Sequence, residues 1–227
     1  MNKVEDHHRV NDILLGPLER PALKWLAAHM PSWVTPDTCT IIGVVGAVLI
    51  LISYVLSRLD SNFLWLASFG FVVNWFGDSL DGTLARYRHI ERPSYGFFVD
   101  HTTDAFNETI IFLGLGLTPY IRFDLACLTL IAYLLLSVLA FLRTYVAGEF
   151  KISYGKLGPT EVRLIAILLN TGMYFGGKRA FSLALGTFGN ITYSPYDLIV
   201  AAIALLLLFY FVSTAIQESI RLAKIGK

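Results

Sequence analysis

Residues 77–106 read GDSLDGTLARYRHIERPSYGFFVDHTTDAF, and a long apolar segment stands on each side of this stretch. Asp78 and Asp81 end the first apolar segment three residues apart, so a helix places them on one face. Asp100 and Asp104 begin the second segment four residues apart and also share a helical face. A short basic loop joins the two segments, which makes the two helices antiparallel neighbours. The four carboxylates are therefore expected at one depth of the molecule.

The composition indicates a membrane protein. Of the 227 residues, 55% are hydrophobic and 15% are charged, whereas a soluble domain has about 25% charged residues. The mean hydropathy is +0.60. The net charge of +1 gives no bulk basic character, so no nucleic-acid partner is expected. At this length a single domain spanning 1–227 is predicted.

Apolar segments of near-spanning length occur six times along the chain. A spanning helix needs about 20 mostly apolar residues. The candidate spans are 38–57, 62–83, 96–118, 124–148, the shorter 160–176 and 196–217. Residues 12–30 instead mix Leu and Trp with charged side chains, which predicts an amphipathic helix on the membrane surface, a soluble tail being the alternative. The predicted fold class is an all-α membrane protein, with six transmembrane helices in 38–217 preceded by this surface helix.

The orientation follows from the distribution of Lys and Arg between the two sides of the membrane. With six spans, the side that holds both termini and the aspartates carries 14 of these residues, and the other side carries 4. Both termini and the aspartate stretch are therefore predicted to face the cytosol.

Four neighbouring carboxylates without counter-charges would repel one another, and their desolvation would be costly. Divalent cations remove both problems, and an all-oxygen site suits Mg²⁺, Mn²⁺ or Ca²⁺. Arg86 places a permanent charge where a phosphate could be held. The small residues Gly82 and Ala85 leave room for a ligand near the backbone, and Gly96 is expected to let its helix approach a neighbour closely.

The same stretch resembles the signature of the CDP-alcohol phosphotransferase family, D-x2-D-G-x2-A-R-x8or9-G-x3-D-x3-D. Every fixed position is filled, by Asp78, Asp81, Gly82, Ala85, Arg86, Gly96, Asp100 and Asp104. Residues 35–43, TPDTCTIIG, are similar to the family's T-P-N-x-x-T-x-x-G at the start of the first span. Asp37 stands there where Asn is usual, and its carboxylate could cap the helix.

The resemblance implies a phospholipid-biosynthetic transferase, which moves a substituted phosphate from a CDP-alcohol donor to an alcohol or lipid acceptor and releases CMP. It implies two Mg²⁺ or Mn²⁺ ions and a homodimer among membrane lipids. The implied metal ligands are Asp78, Asp81, Asp100 and Asp104. The implied CDP-binding residues are Gly82, Ala85, Arg86, Gly96 and Thr40.

Two residues compete for the role of general base. The family implies Asp104, whereas His101 within D-H-x-x-D resembles the choline/ethanolamine phosphotransferase branch, in which this His is a candidate base. Residues 160–162, TEV, are similar to a helix start in the same branch. The acceptor pocket is accordingly assigned to Glu161, Arg163 and Lys156.

Three other functions are alternatives. A CDP-diacylglycerol donor could serve a polar acceptor such as glycerol phosphate, inositol or inositol phosphate. An intramembrane prenyltransferase also uses Asp-rich motifs and Mg²⁺, but its motifs lie far apart in sequence. A metal-ion transporter would need carboxylates near the bilayer midplane rather than at a basic rim.

Overall fold

The computed structural model describes residues 14–147, 158–179, 181–184 and 190–225. Seven α-helices and one pair of β-strands make up this part of the chain. In chain order they are α1 Gly16–His29, α2 Pro36–Leu56, α3 Phe63–Arg88, α4 Pro93–Gly116, α5 Phe123–Ala147, α6 Pro159–Gly176, β1 Phe181–Ala184, β2 Asn190–Tyr193 and α7 Pro195–Ile225.

Four helices of the described residues are long and apolar enough to cross a membrane. They are Pro36–Leu56, Phe63–Arg88, Phe123–Val146 and Pro195–Lys224. The helices α4 and α6 also coincide with predicted spans, but α4 carries three acidic residues and α6 has only 18 residues. The prediction of an all-α membrane protein is confirmed, while the count of six spans stays a prediction.

The paired strands are the one departure from helical structure in the described part of the chain. β1 and β2 are antiparallel, with Phe181 opposite Tyr193, and they lie between α6 and α7 where no strand was predicted. They belong to the end of the bundle away from the aspartates.

The ends of α2, α3 and α4 follow from local capping. Thr35 and Thr38 form a capping box at the start of α2, with Thr38 N donating to Thr35 Oγ1 at 3.2 Å. The capping role expected for Asp37 is wrong, because its carboxylate pairs with Arg92 at 2.6 Å. His89 ends α3 in the left-handed conformation, and Pro93 opens α4 four residues later. This short connection makes α3 and α4 antiparallel neighbours.

Glycines bring the backbones of α2 and α3 into direct contact. A Cβ atom added to Gly46 would lie 2.5 Å from the backbone nitrogen of Asn74. A Cβ atom on Gly77 would overlap the backbone of Gly43. Asn74 Nδ2 donates to the Gly43 carbonyl at 2.9 Å, which fixes the register of the two helices. This contact brings the start of α2 against the aspartate end of α3.

The main core is built from residues of α2 to α7, toward the end of the bundle away from the aspartates. Tyr54, Phe71 and Met173 are among its buried members. A buried polar chain crosses it, in which the Tyr54 hydroxyl donates to Asn170 Oδ1 at 2.9 Å. Asn170 Nδ2 in turn donates to Ser68 Oγ at 3.2 Å. Both ends of the Asn170 amide are therefore satisfied.

α1 packs across the aspartate end of the bundle. Leu23 and Ala27 are buried in a second apolar cluster with residues of α3, whereas the side chain of Trp25 is 60% exposed. Glu19 Oε1 accepts hydrogen bonds at 2.8 Å from both Trp75 Nε1 and Thr160 Oγ1. α1 is thereby tied to α3 and α6, and its position on a membrane surface stays a prediction.

Candidate active site

Three carboxylates converge where α3 ends and α4 begins. One oxygen from each of Asp78, Asp100 and Asp104 lies within 4.8 Å of the other two. All three side chains are half-buried, so solvent only partly screens their mutual repulsion. Carboxylate oxygens are the ligands that hard divalent cations prefer. The donor set and its spacing therefore fit a cation such as Mg²⁺ or Mn²⁺.

Asp81 lies outside this group of three but lines the same depression, which we name the carboxylate cleft. The cleft is lined by Thr40, Gly43, Asp78, Asp81, Asp100, Thr103 and Asn107. The hydroxyl of Thr40 donates to Asp81 Oδ2 at 2.8 Å, and the Gly82 backbone N–H donates to Oδ1 at 2.5 Å. Both oxygens of Asp81 are therefore oriented by the protein.

Arg163 of α6 contacts Asp78, one of the residues that line the carboxylate cleft. Its Nη2 donates to Asp78 Oδ2 at 2.6 Å, and its Nε donates to Asn74 Oδ1 at 2.8 Å. Because Asn74 also donates to the Gly43 carbonyl, one chain of hydrogen bonds links α6, α3 and α2. The guanidinium neutralises part of the acidic cluster and holds one oxygen of Asp78.

A further half-buried carboxyl lies one turn beyond Asp104 on α4. Glu108 lies close to the hydroxyl of Tyr133 on α5. It also interacts electrostatically with Asp78 and Arg163. The acidic cluster therefore extends past the four aspartates toward α5, and Arg163 supplies a positive charge within it.

The sequence profile of one family matches most of the chain. The profile of CDP-alcohol phosphatidyltransferases covers residues 33–217, which include the carboxylate cleft and Arg163. The chain belongs to the CDP-alcohol phosphatidyltransferase family. The resemblance seen in the signature is thereby confirmed over most of the chain.

The chain is similar to curated proteins of at least two kinds. Cholinephosphotransferase 1 of Danio rerio is 28% identical over 198 residues, covering 76% of this chain and 50% of that protein. The human cholinephosphotransferase 1 is 26% identical over 187 residues, covering 76% and 44%. Phosphatidylinositol phosphate synthase of Cutibacterium acnes is 40% identical over 92 residues, covering 40% and 41%. The chain thus spans about half the length, or less, of the curated relatives it matches.

Three of the residues expected to bind CDP, Gly82, Ala85 and Arg86, lie in the last turns of α3. The guanidinium of Arg86 lies beside Gly82, where an added Cβ would come within 3.2 Å of Nη1. Ala85 is half-buried in the same turn. The close helix approach expected at Gly96 is wrong, because no described atom lies within 4 Å of a Cβ placed there. Gly96 instead faces open space, and the assignment of these residues to CDP stays a prediction.

The two candidate bases, Asp104 and His101, have different surroundings. Asp104 belongs to the converging carboxylates. The ring of His101 packs against Phe97 and Phe141, with centroid distances of 4.2 and 5.2 Å, and its Nδ1 is 3.9 Å from Asp100 Oδ2. Asp104 therefore lies inside the acidic cluster and His101 at its edge, and a base role for either residue stays a prediction.

The residues assigned to the acceptor pocket do not form one group. Glu161 is buried, and its two oxygens accept from the backbone N–H groups of Leu15 and Gly158, each at 2.8 Å. That placement fits a residue that fastens α1 to the start of α6. Arg163 contacts Asp78 as described above, and Lys156 lies outside the described residues. An acceptor role for the three stays a prediction.

Sequence reasoning missed four polar residues of this region. They are Asn74, Thr103, Asn107 and Glu108. Each lies three, four or seven residues from a signature aspartate, so each continues the helical face of that aspartate. Extending the helical periodicity beyond the motif is the signal that could have found them.

Proposed function

We propose that this chain transfers a substituted phosphate from a CDP-alcohol to an acceptor alcohol and releases CMP, as a metal-dependent enzyme of phospholipid synthesis. The observation that carries the proposal is the convergence of Asp78, Asp100 and Asp104 within 4.8 Å, at the signature of the matched family. Both the matched family and the names of the relatives support this reaction class.

The four aspartates of the signature are the metal ligands in this proposal. Asp78, Asp81, Asp100 and Asp104 would hold Mg²⁺ or Mn²⁺, two ions in our proposal, with Arg163 orienting Asp78. When bound, such cations withdraw charge from phosphate oxygens and stabilise the departing CMP. Thr40 keeps the Asp81 carboxylate in place through its hydroxyl.

The acceptor hydroxyl attacks the phosphorus that carries the donor alcohol. A new oxygen–phosphorus bond forms while the bond from that phosphorus to the CMP oxygen breaks, and CMP leaves with the electron pair. The hydroxyl proton passes to Asp104 or to His101. Arg86 lies at the rim, where a guanidinium can hold a phosphate of the nucleotide.

A CDP-aminoalcohol donor with a lipid acceptor is the first substrate pair that we propose. The matches to cholinephosphotransferases cover 76% of the chain, and D-H-x-x-D at 100–104 has the form of that branch. A CDP-diacylglycerol donor with a polar acceptor such as inositol phosphate is the second. The 40% identity to phosphatidylinositol phosphate synthase over 92 residues favours it.

The decisive experiment measures CMP. Purified protein in nanodiscs with Mg²⁺ is incubated with CDP-choline and diacylglycerol, with CDP-ethanolamine and diacylglycerol, or with CDP-diacylglycerol and inositol phosphate. We expect CMP from one pair, and none from the same pair with Asp78→Asn protein. Failure of every CDP-alcohol to yield CMP would refute the proposed function.

The arrangement in the membrane completes the proposal. We propose six spans that form one domain, with α1 on the membrane surface and with both termini and the carboxylate cleft facing the cytosol. The Lys and Arg asymmetry of 14 to 4 supports this orientation. The exposed Leu18 and Trp25 on the outer face of α1 suit a helix that rests on lipid. A homodimer is proposed on the family resemblance.

A further inference from the structure

Three asparagine side chains are buried in the described part of the chain, and they differ in one respect. Asn74, Asn107 and Asn170 are 2%, 4% and 1% exposed. Asn74 donates to the Gly43 carbonyl and accepts from Arg163. Asn170 accepts from Tyr54 and donates to Ser68. For these two, the rule that buried polar groups are hydrogen-bonded holds at both ends of the amide.

Asn107 breaks this rule. Its Oδ1 is buried and has no hydrogen-bond partner among the described residues. Removing a carbonyl oxygen from water without replacing its lost hydrogen bond is unfavourable. An aliphatic side chain of similar size would avoid that cost, so an amide at this position is favourable only if its oxygen binds a partner.

The location of Asn107 indicates what that partner is. It lines the carboxylate cleft with Asp78 and Asp100, and it lies seven residues after Asp100 on the same face of α4. α4 runs away from the aspartate end of the bundle, so Asn107 lies at the inner end of the cleft with Gly43 and Asp78. A half-turn about the terminal bond of the side chain presents either Oδ1 or Nδ2 to the cleft.

The chemistry of the cleft determines whether Oδ1 or Nδ2 of the Asn107 amide can bind a ligand there. The ionised carboxylates around it are acceptors only, so they cannot satisfy an amide oxygen. A hard divalent cation accepts carboxylate oxygens and neutral amide oxygens in the same coordination shell. A cation at the carboxylates would therefore satisfy the one oxygen that the protein leaves unpartnered.

We propose that Asn107 supplies a neutral oxygen ligand, from the inner end of the cleft, to a divalent cation that is also held by Asp78 and by Asp104, which lies one helical turn before Asn107 on α4. This inference rests on the cation of the proposed function, and it adds a ligand that is not part of the family signature. The amide would add a ligand without adding negative charge to a cluster that already holds four aspartates and Glu108.

The test measures Mn²⁺ binding in the absence of substrate. Free Mn²⁺ is followed by electron paramagnetic resonance in detergent-purified protein, for wild type, Asn107→Ser, Asn107→Asp and the control Asn170→Ser. We expect Asn107→Ser to weaken Mn²⁺ binding by at least about tenfold, because mutation of residues around a metal site typically lowers metal affinity by that factor or more. Asn107→Asp keeps an oxygen in place and adds charge, so it should bind Mn²⁺ at least as tightly as wild type.

The control separates a lost ligand from general damage. Asn170→Ser removes an equally buried amide from the core, so it should lower the thermal unfolding midpoint while the Mn²⁺ affinity stays unchanged. Wild-type Mn²⁺ affinity in Asn107→Ser would overturn the proposal, as would a wild-type protein that binds no Mn²⁺. Equal weakening in Asn107→Ser and Asn107→Asp would also overturn it, because that result assigns the amide N–H to the role. If Mn²⁺ binds as expected but no CDP-alcohol yields CMP, the proposed function fails while the ligand assignment stands.

Discussion

Substitution of Gly46 by alanine tests how tightly the aspartate helix is fixed. The added Cβ would lie 2.5 Å from the backbone nitrogen of Asn74, whereas ordinary contacts begin at 3.4 Å, so α2 and α3 must separate by about 0.9 Å. Overpacking costs about 1–3 kcal/mol, and the upper end applies here because a backbone cannot rotate away. The gain in helix propensity offsets about 1 kcal/mol. We expect a net loss of about 2 kcal/mol in the free energy of unfolding.

The same separation should reduce catalysis, because α3 carries Asp78 and Asp81 and α2 carries Thr40. A displacement of about 1 Å in a catalytic group can cost about 10²-fold in rate. Stability is measured by denaturant titration in mixed micelles, and activity by CMP release. Gly172→Ala is the matched control, since its nearest contact would be Tyr196 Cε1 at 4.0 Å. That variant should be as stable as wild type or more so. If Gly46→Ala is as stable as Gly172→Ala, the backbone contact between α2 and α3 is not as close as described.

The remaining predictions concern the cleft and the membrane. Chelation or Asp100→Asn should abolish most CMP release, whereas Asp124→Asn, which weakens an exposed pair with Arg122, should not. Full turnover in excess chelator would remove the metal from the reaction. A variant that lacks the general base should have a lower kcat while donor binding is unchanged, so kcat and KM are measured for His101→Ala and Asp104→Asn. A wild-type rate in His101→Ala would leave Asp104 as the base. Glu161→Gln should lower thermal stability, because the Glu161 charge accepts from two backbone N–H groups. A raised KM for the acceptor in the same variant would support the acceptor role, and an unchanged KM would refute it. Cysteines placed at both termini should resist labelling by an impermeant reagent outside intact cells, and labelling of either terminus would reverse the topology.

Several features of this protein could be read from the sequence because they depend on local order along the chain. Long apolar segments predict membrane helices, since a spanning helix satisfies its own backbone hydrogen bonds. The three- and four-residue spacings of the aspartates place each pair on one face, and the short loop between the helices brings the pairs together. The convergence of Asp78, Asp100 and Asp104 needed only these local facts.

Contacts between helices that are distant in sequence were decided only by the tertiary structure. Arg163 meets Asp78 across 85 residues, and Glu161 meets Leu15 across 146. Such pairs depend on the rotation and crossing angle of each helix, which apolar segments without a polar face do not specify. For the same reason the close approach predicted at Gly96 occurs instead at Gly46 and Gly77. The tertiary structure likewise decides that the buried amides of Asn74 and Asn170 have hydrogen-bond partners, whereas Oδ1 of Asn107 has none among the described residues. A hydrogen bond forms only where packing brings the donor and the acceptor within about 3 Å.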